Sequence, residues 1–406
     1  MFRNPYVRTI VISRLLLQLG IWVRNFAILL YVTDLTNNDP QAVSWISVAE
    51  YAPIFIFAII GGTFADRWRP KHTMVWCDLL SSLSAVVVLV ALMFGPWYSV
   101  LLGTLVSAVF SQFSQPSAMK LFKQHVPSEG LQGVMAMFQT LVAVFMVVGP
   151  MIGTVVYQNY GIEVSLFLTS VMFLLSGLVL SRLPKDEGGT VATGIRGSFH
   201  QELAEGFRYV YANVALRALV MTFAVAGLAA GLIQPLMLFV VIDNLGQDKT
   251  FLQWLLMVNG AAMLVGGAII MSAAKKLQPQ VLLAAGLLIS ALGTIMMGWS
   301  TNILLTMIAQ VINGFFYPWI HVGIQTMIMR NTNTNYIGRV GGAVTPVFMG
   351  MMVISMSSAG YLMNQLNLTT VVTVSGVLFL AGAFILLLMF PKGKGVSGSH
   401  VMRNSE

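Results

Sequence analysis

Residues 370–390 read TVVTVSGVLFLAGAFILLLMF, without one charged side chain. A helix rising 1.5 Å per residue needs about 20 apolar residues to cross roughly 30 Å of hydrocarbon. The stretch is therefore read as a membrane span. Working back toward the N-terminus, comparable runs fall at 338–363, 303–327, 280–299, 250–274, 216–242, 163–183, 132–157, 98–118, 74–94, 43–64 and 9–33. Twelve spans make an all-α membrane protein. Composition agrees: 57% of residues are hydrophobic and 9% charged, against about 25% charged in soluble domains.

Lysine and arginine collect in alternate loops, which the positive-inside rule places in the cytoplasm. One set holds Arg3 and Arg8, Arg67, Arg69 and Lys71, Lys120 and Lys123, Lys185 and Arg196, Lys275 and Lys276, Arg330 and Arg339, and Lys392, Lys394 and Arg403. The other holds Lys249 beside Asp39, Glu163, Asp243 and Asp248. Both termini are thus expected in the cytoplasm. The net charge of +8 reflects this sidedness and contact with anionic headgroups, so membrane lipids are expected partners and nucleic acid is not. The first run lacks a small-residue cleavage site and is read as a retained helix. Cys77 is read as packing.

The interval from Pro184 to about Tyr211 splits the spans six and six. Within it Leu203, Phe207 and Val210 share one helical face and Glu202, Glu205 and Arg208 lie elsewhere, which predicts an amphipathic helix on the inner membrane surface. The expected organisation is a six-helix bundle over 1–183, a cytoplasmic linker over 184–214, a second bundle over 215–390 and a cytoplasmic tail over 391–406.

The loop after the second span, Gly61-Gly62-Thr63-Phe64-Ala65-Asp66-Arg67-Trp68-Arg69-Pro70-Lys71, resembles the signature between helices 2 and 3 of the major facilitator superfamily. The resemblance implies two six-helix bundles and a conformational gate formed by Gly62, Asp66, Arg67, Arg69 and Lys71. Arg69 and Pro70 replace the usual glycine and arginine. In the fifth span, Gly149-Pro150-Met151-Ile152-Gly153 is similar to the end of the antiporter motif of drug exporters, with Phe145 and Ala136 where earlier glycines would stand. A proline kink with close glycine packing is the other reading of that stretch. Thr33-Asp34-Leu35-Thr36, Gln115-Pro116-Ser117-Ala118, Gln325 and Ile337-Gly338-Arg339-Val340 extend the resemblance toward macrolide-efflux proteins and siderophore exporters. That branch often carries an acid in helix 1 where this chain has Arg24.

An ionisable group at membrane depth costs at least about 2.5 kcal/mol and is seldom kept without use. Glu50 is read as the one carboxylate well within a span; Asp78 is placed at the cytoplasmic start of the third span and Asp34 at the outer end of the first. Arg24 and Glu50 both lie roughly 10–14 Å deep and can meet. Burial disfavours a carboxylate and a guanidinium favours it, so a change of access would change the protonation of Glu50. The pair is expected to couple protons. Two other readings stay open: a static pair fixing the hairpin of the first two spans, or Arg24 binding an anionic substrate.

Arg14, Gln18 and Asn25 form one polar stripe on the first span. Gln310, Tyr317, His321 and Gln325 form another on the tenth, with Asn313 at its edge. The resemblance places helices 1, 4, 7 and 10 around a central cavity, where Gln18, Asn25, Gln112, Gln310, Asn313, Tyr317 and His321 would meet substrate. Asn259 is assigned to the same cavity. His321 is alternatively a hydrogen-bonded structural histidine, and Asn259 and Gln234 alternatively tie helices together. Abundant methionine and phenylalanine suit a pocket for varied apolar compounds.

No Walker loop, zincin or nucleophile-elbow motif occurs, and no cofactor or metal is expected. The chain is read as a monomeric transporter of the cell membrane, not an enzyme, exporting amphipathic drug-like molecules in exchange for protons. Nutrient uptake or facilitated diffusion, and a membrane sensor on the same fold, are the alternatives.

Overall fold

The computed structural model describes residues 4–67, 69–95, 97–184, 199–273, 277–333 and 336–389, without the side chains of 58–67, 93, 128–129, 199–203, 272–273 and 337–338. These residues form twelve α-helices: α1 (Pro5–Leu35), α2 (Pro40–Arg67), α3 (Pro70–Phe94), α4 (Ser99–His125), α5 (Ser128–Ser181), α6 (Phe199–Ala212), α7 (Val214–Phe239), α8 (Leu252–Ala273), α9 (Pro279–Trp299), α10 (Ile303–Asn331), α11 (Ile337–Leu366) and α12 (Leu368–Met389). No strand occurs among the described residues. The run from 370 to 389 lies in α12.

α5 carries two crossings. Gly161 interrupts it with φ 74° and ψ −173°, a conformation open to glycine alone, and the chain turns back there. α6 is the short amphipathic helix, so the remaining ten helices and the two arms of α5 supply the twelve spans. Helix starts follow local chemistry. Asn4, Asn213 and Asn302 cap α1, α7 and α10 with their side chains, and Pro5, Pro70 and Pro279 open helices where a missing N–H costs nothing.

In the N-terminal half, α1 packs along α5, and α3 against α4 and α5; in the C-terminal half, α7 packs on α11 and α12, and α10 on α8 and α9. The halves meet where α2 runs beside α11 and α5 beside α8. Their apolar cores differ between the two ends. Phe26 and Val43 join Leu236, Leu252, Leu255 and Ala359 in one shared cluster at the end away from the basic loops. Toward the basic end each half has its own cluster, one around Phe122 and Phe138, the other around Leu219, Leu283 and Ile324. Among the described residues, the apolar core that the halves share thus lies at the end away from the basic loops.

α6, which the sequence reads as an amphipathic helix on the inner membrane surface, packs on the C-terminal half. Phe207 and Val210 enter the C-terminal core, Glu205 Oε2 meets Arg339 Nη1 at 2.7 Å, and Tyr209 stacks on Tyr336 at 4.7 Å. Gly206 lets the helix approach closely: an added Cβ would stand 2.5 Å from the Arg339 carbonyl oxygen. The linker helix is therefore fastened to α11.

Candidate functional site

α1 and α2 bring the two expected coupling residues to mid-span. Arg24 is 5% exposed, and its Nε and Nη2 both donate to Asn25 Oδ1, at 3.0 and 2.9 Å. Its Nη1 is buried without a partner. The side chain borders a small cavity of about 10 Å³, the size of one water, lined by Ser81, Ser84, Thr104 and Ser107 of α3 and α4. Arg24 and Glu50 form no ion pair within 4.0 Å among the described residues, yet each lies in the electrostatic field of the other. The guanidinium is held by its neighbour in sequence and senses the carboxylate at a distance.

Glu50 is half-buried and next to Tyr51. The Tyr51 hydroxyl accepts from Gln234 Nε2 of α7 at 3.4 Å, a contact from one half to the other. Tyr51 also lies within electrostatic range of Tyr317 on α10, whose ring is 4.6 Å from that of His321. Glu50 and Tyr51, Gln234, Tyr317 and His321 thus make a polar belt where the halves face each other, and Arg24, bound to Asn25, is turned into the N-terminal half beside Ser81 and Thr104. Tyr51 and Gln234 were not among the expected site residues. Gln234 was legible as a residue that could tie helices together, and it reaches Tyr51 of α2; nothing in the sequence marked Tyr51 except its neighbour.

The other expected cavity residues separate into two groups. Gln18 is buried within α1, and Gln112 Nε2 on α4 reaches Ser111 Oγ at 3.4 Å. Asn259 and Gln310 are engaged with each other: Asn259 Nδ2 donates to the Gln310 carbonyl at 3.1 Å and to its Oε1 at 3.0 Å. Gln310 is 1% exposed, and its Nε2 turns to the sulfurs of Met237 and Met297 at 2.9 and 3.2 Å. Asn313 Oδ1 is buried and unpartnered, against the backbone of Gly293. These three side chains sit in the packing between α7, α8, α9 and α10.

The gate stretch joins α2 to α3. Gly62, Asp66 and Arg67 belong to the last turns of α2, with side chains outside those described, and Trp68 lies outside the described residues. Arg69 occupies the N-cap of α3, where its carbonyl accepts from Thr73 N at 3.0 Å. Lys71 Nζ donates to the Leu183 carbonyl beyond α5. On α5, Gly149 and Gly153 flank Pro150 and face α1: a Cβ at Gly149 would enter the Trp22 ring.

Asp78 overturns an expectation. α3 begins at Pro70, so Asp78 stands two turns inside it, 2% exposed, with Ser176 Oγ donating to its Oδ2 at 2.6 Å. Glu50 is not the one carboxylate deep within a span.

Comparison with known proteins gives the frame for this geometry. The model of the Major Facilitator Superfamily matches residues 10–240 and 219–403. Two relatives from Bacillus subtilis are similar along most of their length: the uncharacterized MFS-type transporter YkuC, 25% identical over 86% of this chain and 83% of that one, and the MFS-type transporter YfiS, 22% identical over 96% and 94%. Among solved structures, the nucleoside transporter NupG superposes with a TM-score of 0.78 over 96% of this chain and all of that one, at 9% identity. The peptide transporter POT superposes with a TM-score of 0.76 over 94% and 93%, at 12% identity. At those identities the likeness is one of fold. With twelve spans in two halves and a family match along nearly its whole length, the chain belongs to the major facilitator superfamily and is a membrane transporter.

Proposed function

We propose that this transporter exports amphipathic, drug-like molecules from the cell in exchange for protons, by alternating access across the cytoplasmic membrane, and works as a monomer. One observation carries the reading. Glu50, a carboxyl at mid-span, sits in the field of Arg24 and beside Tyr51, the residue through which α2 touches Gln234 of the opposite half. A proton gained or lost there changes the charge next to the contact between the halves, which is what coupling to a rocking motion requires.

The arrangement suits export in a second respect. The halves share an apolar core away from the basic loops and keep separate cores near them, so the polar belt is sealed on the side that positive-inside sidedness assigns to the exterior. A molecule dissolved in the inner leaflet or cytoplasm would meet Tyr317 and His321 on α10. Aromatic and methionine side chains adapt to varied apolar shapes. Protonation of Glu50 from outside weakens its attraction to Arg24 and releases substrate outward; loss of that proton inward resets the cycle.

Inverted membrane vesicles energised with a pH gradient test this directly, with a lipophilic dye as substrate. Wild type is expected to move dye and dissipate the gradient, whereas Glu50→Gln at matched expression binds dye and does neither. Equal transport and gradient loss by the two proteins would end the role of Glu50.

A further inference from the structure

The mechanism above leaves a second buried carboxyl unused. Asp78 of α3 lies toward the basic end, enclosed by α1, α4 and α5. Ser176 Oγ of α5 donates to its Oδ2 at 2.6 Å, Ser114 of α4 contributes a second hydroxyl, and Ser13 Oγ of α1 is 2.8 Å from Ser176 Oγ. Ser13, Ser114 and Ser176 are all buried. The charged and titratable groups that face Asp78 are Arg14 from α1 and, on α3 itself, the Cys77 thiol; α4 and α5 present hydroxyls. Arg14 makes no ion pair with Asp78 within 4.0 Å among the described residues. Its guanidinium lies 5.1 Å from the Phe138 ring centroid and its Nε is buried without a partner.

We propose that Asp78 is a second proton-binding carboxyl of this transporter, held by a chain of hydroxyls that satisfies it in either protonation state. As a carboxylate it accepts from Ser176, which in turn accepts from Ser13 Oγ. As an acid its own O–H donates to Ser176 Oγ, and the Ser176 hydroxyl turns to the Ser13 carbonyl, 3.2 Å away. One proton is taken up at Oδ2, the Ser176 hydroxyl rotates, Ser13 Oγ still donates to Ser176 Oγ, and neither serine is left without an acceptor. A hydroxyl can reverse in this way, whereas an amide or guanidinium donor cannot. Hydroxyls alone leave a carboxylate in hydrocarbon uncompensated, and Arg14 is the cation within reach when the proton leaves. Deprotonation then draws Arg14, and with it the basic-end turn of α1, toward α3.

The test reads the carboxyl itself. The full chain, reconstituted in lipid, is titrated from acid to alkaline pH under infrared spectroscopy. A carbonyl stretch of a protonated carboxyl is expected that disappears with alkali, is lost in Asp78→Asn and persists in Glu50→Gln. Ser176→Ala, which keeps the carboxyl and removes its nearest hydroxyl, is expected to move both the frequency of the band and the pH at which it vanishes. An Asp78→Asn spectrum identical to wild type at every pH overturns the proposal, and so does an unmoved band in Ser176→Ala where Asp78→Asn does not fold. Neither result depends on whether Glu50 couples transport.

Discussion

Asp34, in the last turn of α1, is ion-paired with Lys249 in the connection between α7 and α8, and the contact fastens the two halves at the end away from the basic loops. Tyr157 of α5 donates to the other carboxylate oxygen of Asp34 at 3.1 Å. Lys249 is the one lysine or arginine in the loops on that side, and it serves this latch. Gln41 Nε2 donating to the Ser357 carbonyl, and Gly360 N donating to Ser44 Oγ, hold α2 to α11 nearby.

Breaking the latch should shift the transporter toward opening on that side. The side chains are 16% and 54% exposed, and an ion pair with one half-exposed partner contributes at most about 1 kcal/mol, a population change of roughly five-fold. Lys249→Gln is expected to raise the labelling rate of a cysteine introduced beneath the seal by no more than about that factor, in a Cys77→Ser background. Asp34→Asn should match it, and the double variant should add nothing. A double variant that labels markedly faster than either single one would show that the two charges act separately.

Gly153 predicts a steric limit on the seam between α1 and α5. A Cβ there would stand 2.6 Å from the Trp22 carbonyl oxygen and 2.7 Å from Phe26 Cβ, and backbone cannot yield as a side-chain tip can. Gly153→Ala is expected to destabilise the protein by about 1–3 kcal/mol, seen as a lower midpoint of thermal unfolding in detergent. Gly342 of α11 has open space around it, and Gly342→Ala should be neutral or stabilising by up to about 1 kcal/mol. Equal midpoints for the two variants would remove close packing as the reason for glycine at 153.

Arg24 should resist replacement by lysine. Its charge would survive in Arg24→Lys, but the paired donation from Nε and Nη2 to Asn25 Oδ1 would not, and the ammonium would no longer be aimed. Losing a charge-assisted contact of this kind costs about 1.5–3 kcal/mol. Initial transport rates in vesicles are therefore expected to fall at least about ten-fold in both Arg24→Lys and Asn25→Ala. Full activity of Arg24→Lys would show that a positive charge suffices without its geometry.

The spans were legible because a bilayer imposes a length and a polarity on every crossing: the charge-free run from 370 to 389 lies in α12, Leu368–Met389. Contacts between helices were not. Asp78 was placed at a helix start because the apolar run was counted from residue 74, whereas Pro70 already opens α3. Serines such as Ser13 and Ser176 carry no periodic signal, yet they decide what surrounds that carboxyl. Asn25 was assigned to a cavity face by helical angle, since adjacent side chains do not normally meet on a helix. A guanidinium is long enough to fold back onto its neighbour, and it does.

Asn259 and Gln310 illustrate the same limit and give a prediction that separates packing from recognition. Their polar side chains fall on faces that helical spacing turns inward, but spacing names a face and not the neighbour that fills it. The structure pairs them across α8 and α10, with Gln310 almost fully buried and its amide directed at two methionine sulfurs. An amide tie inside a membrane bundle is worth about 0.6 kcal/mol on average and up to roughly 1.7. A double-mutant cycle of Asn259→Ala and Gln310→Ala, read by unfolding in mixed micelles, is expected to give a coupling energy in that range. Dye affinity should change less than about two-fold in either single variant, because both amides are engaged with each other and with methionine sulfurs. A large loss of affinity with no coupling in stability would return both residues to the substrate cavity.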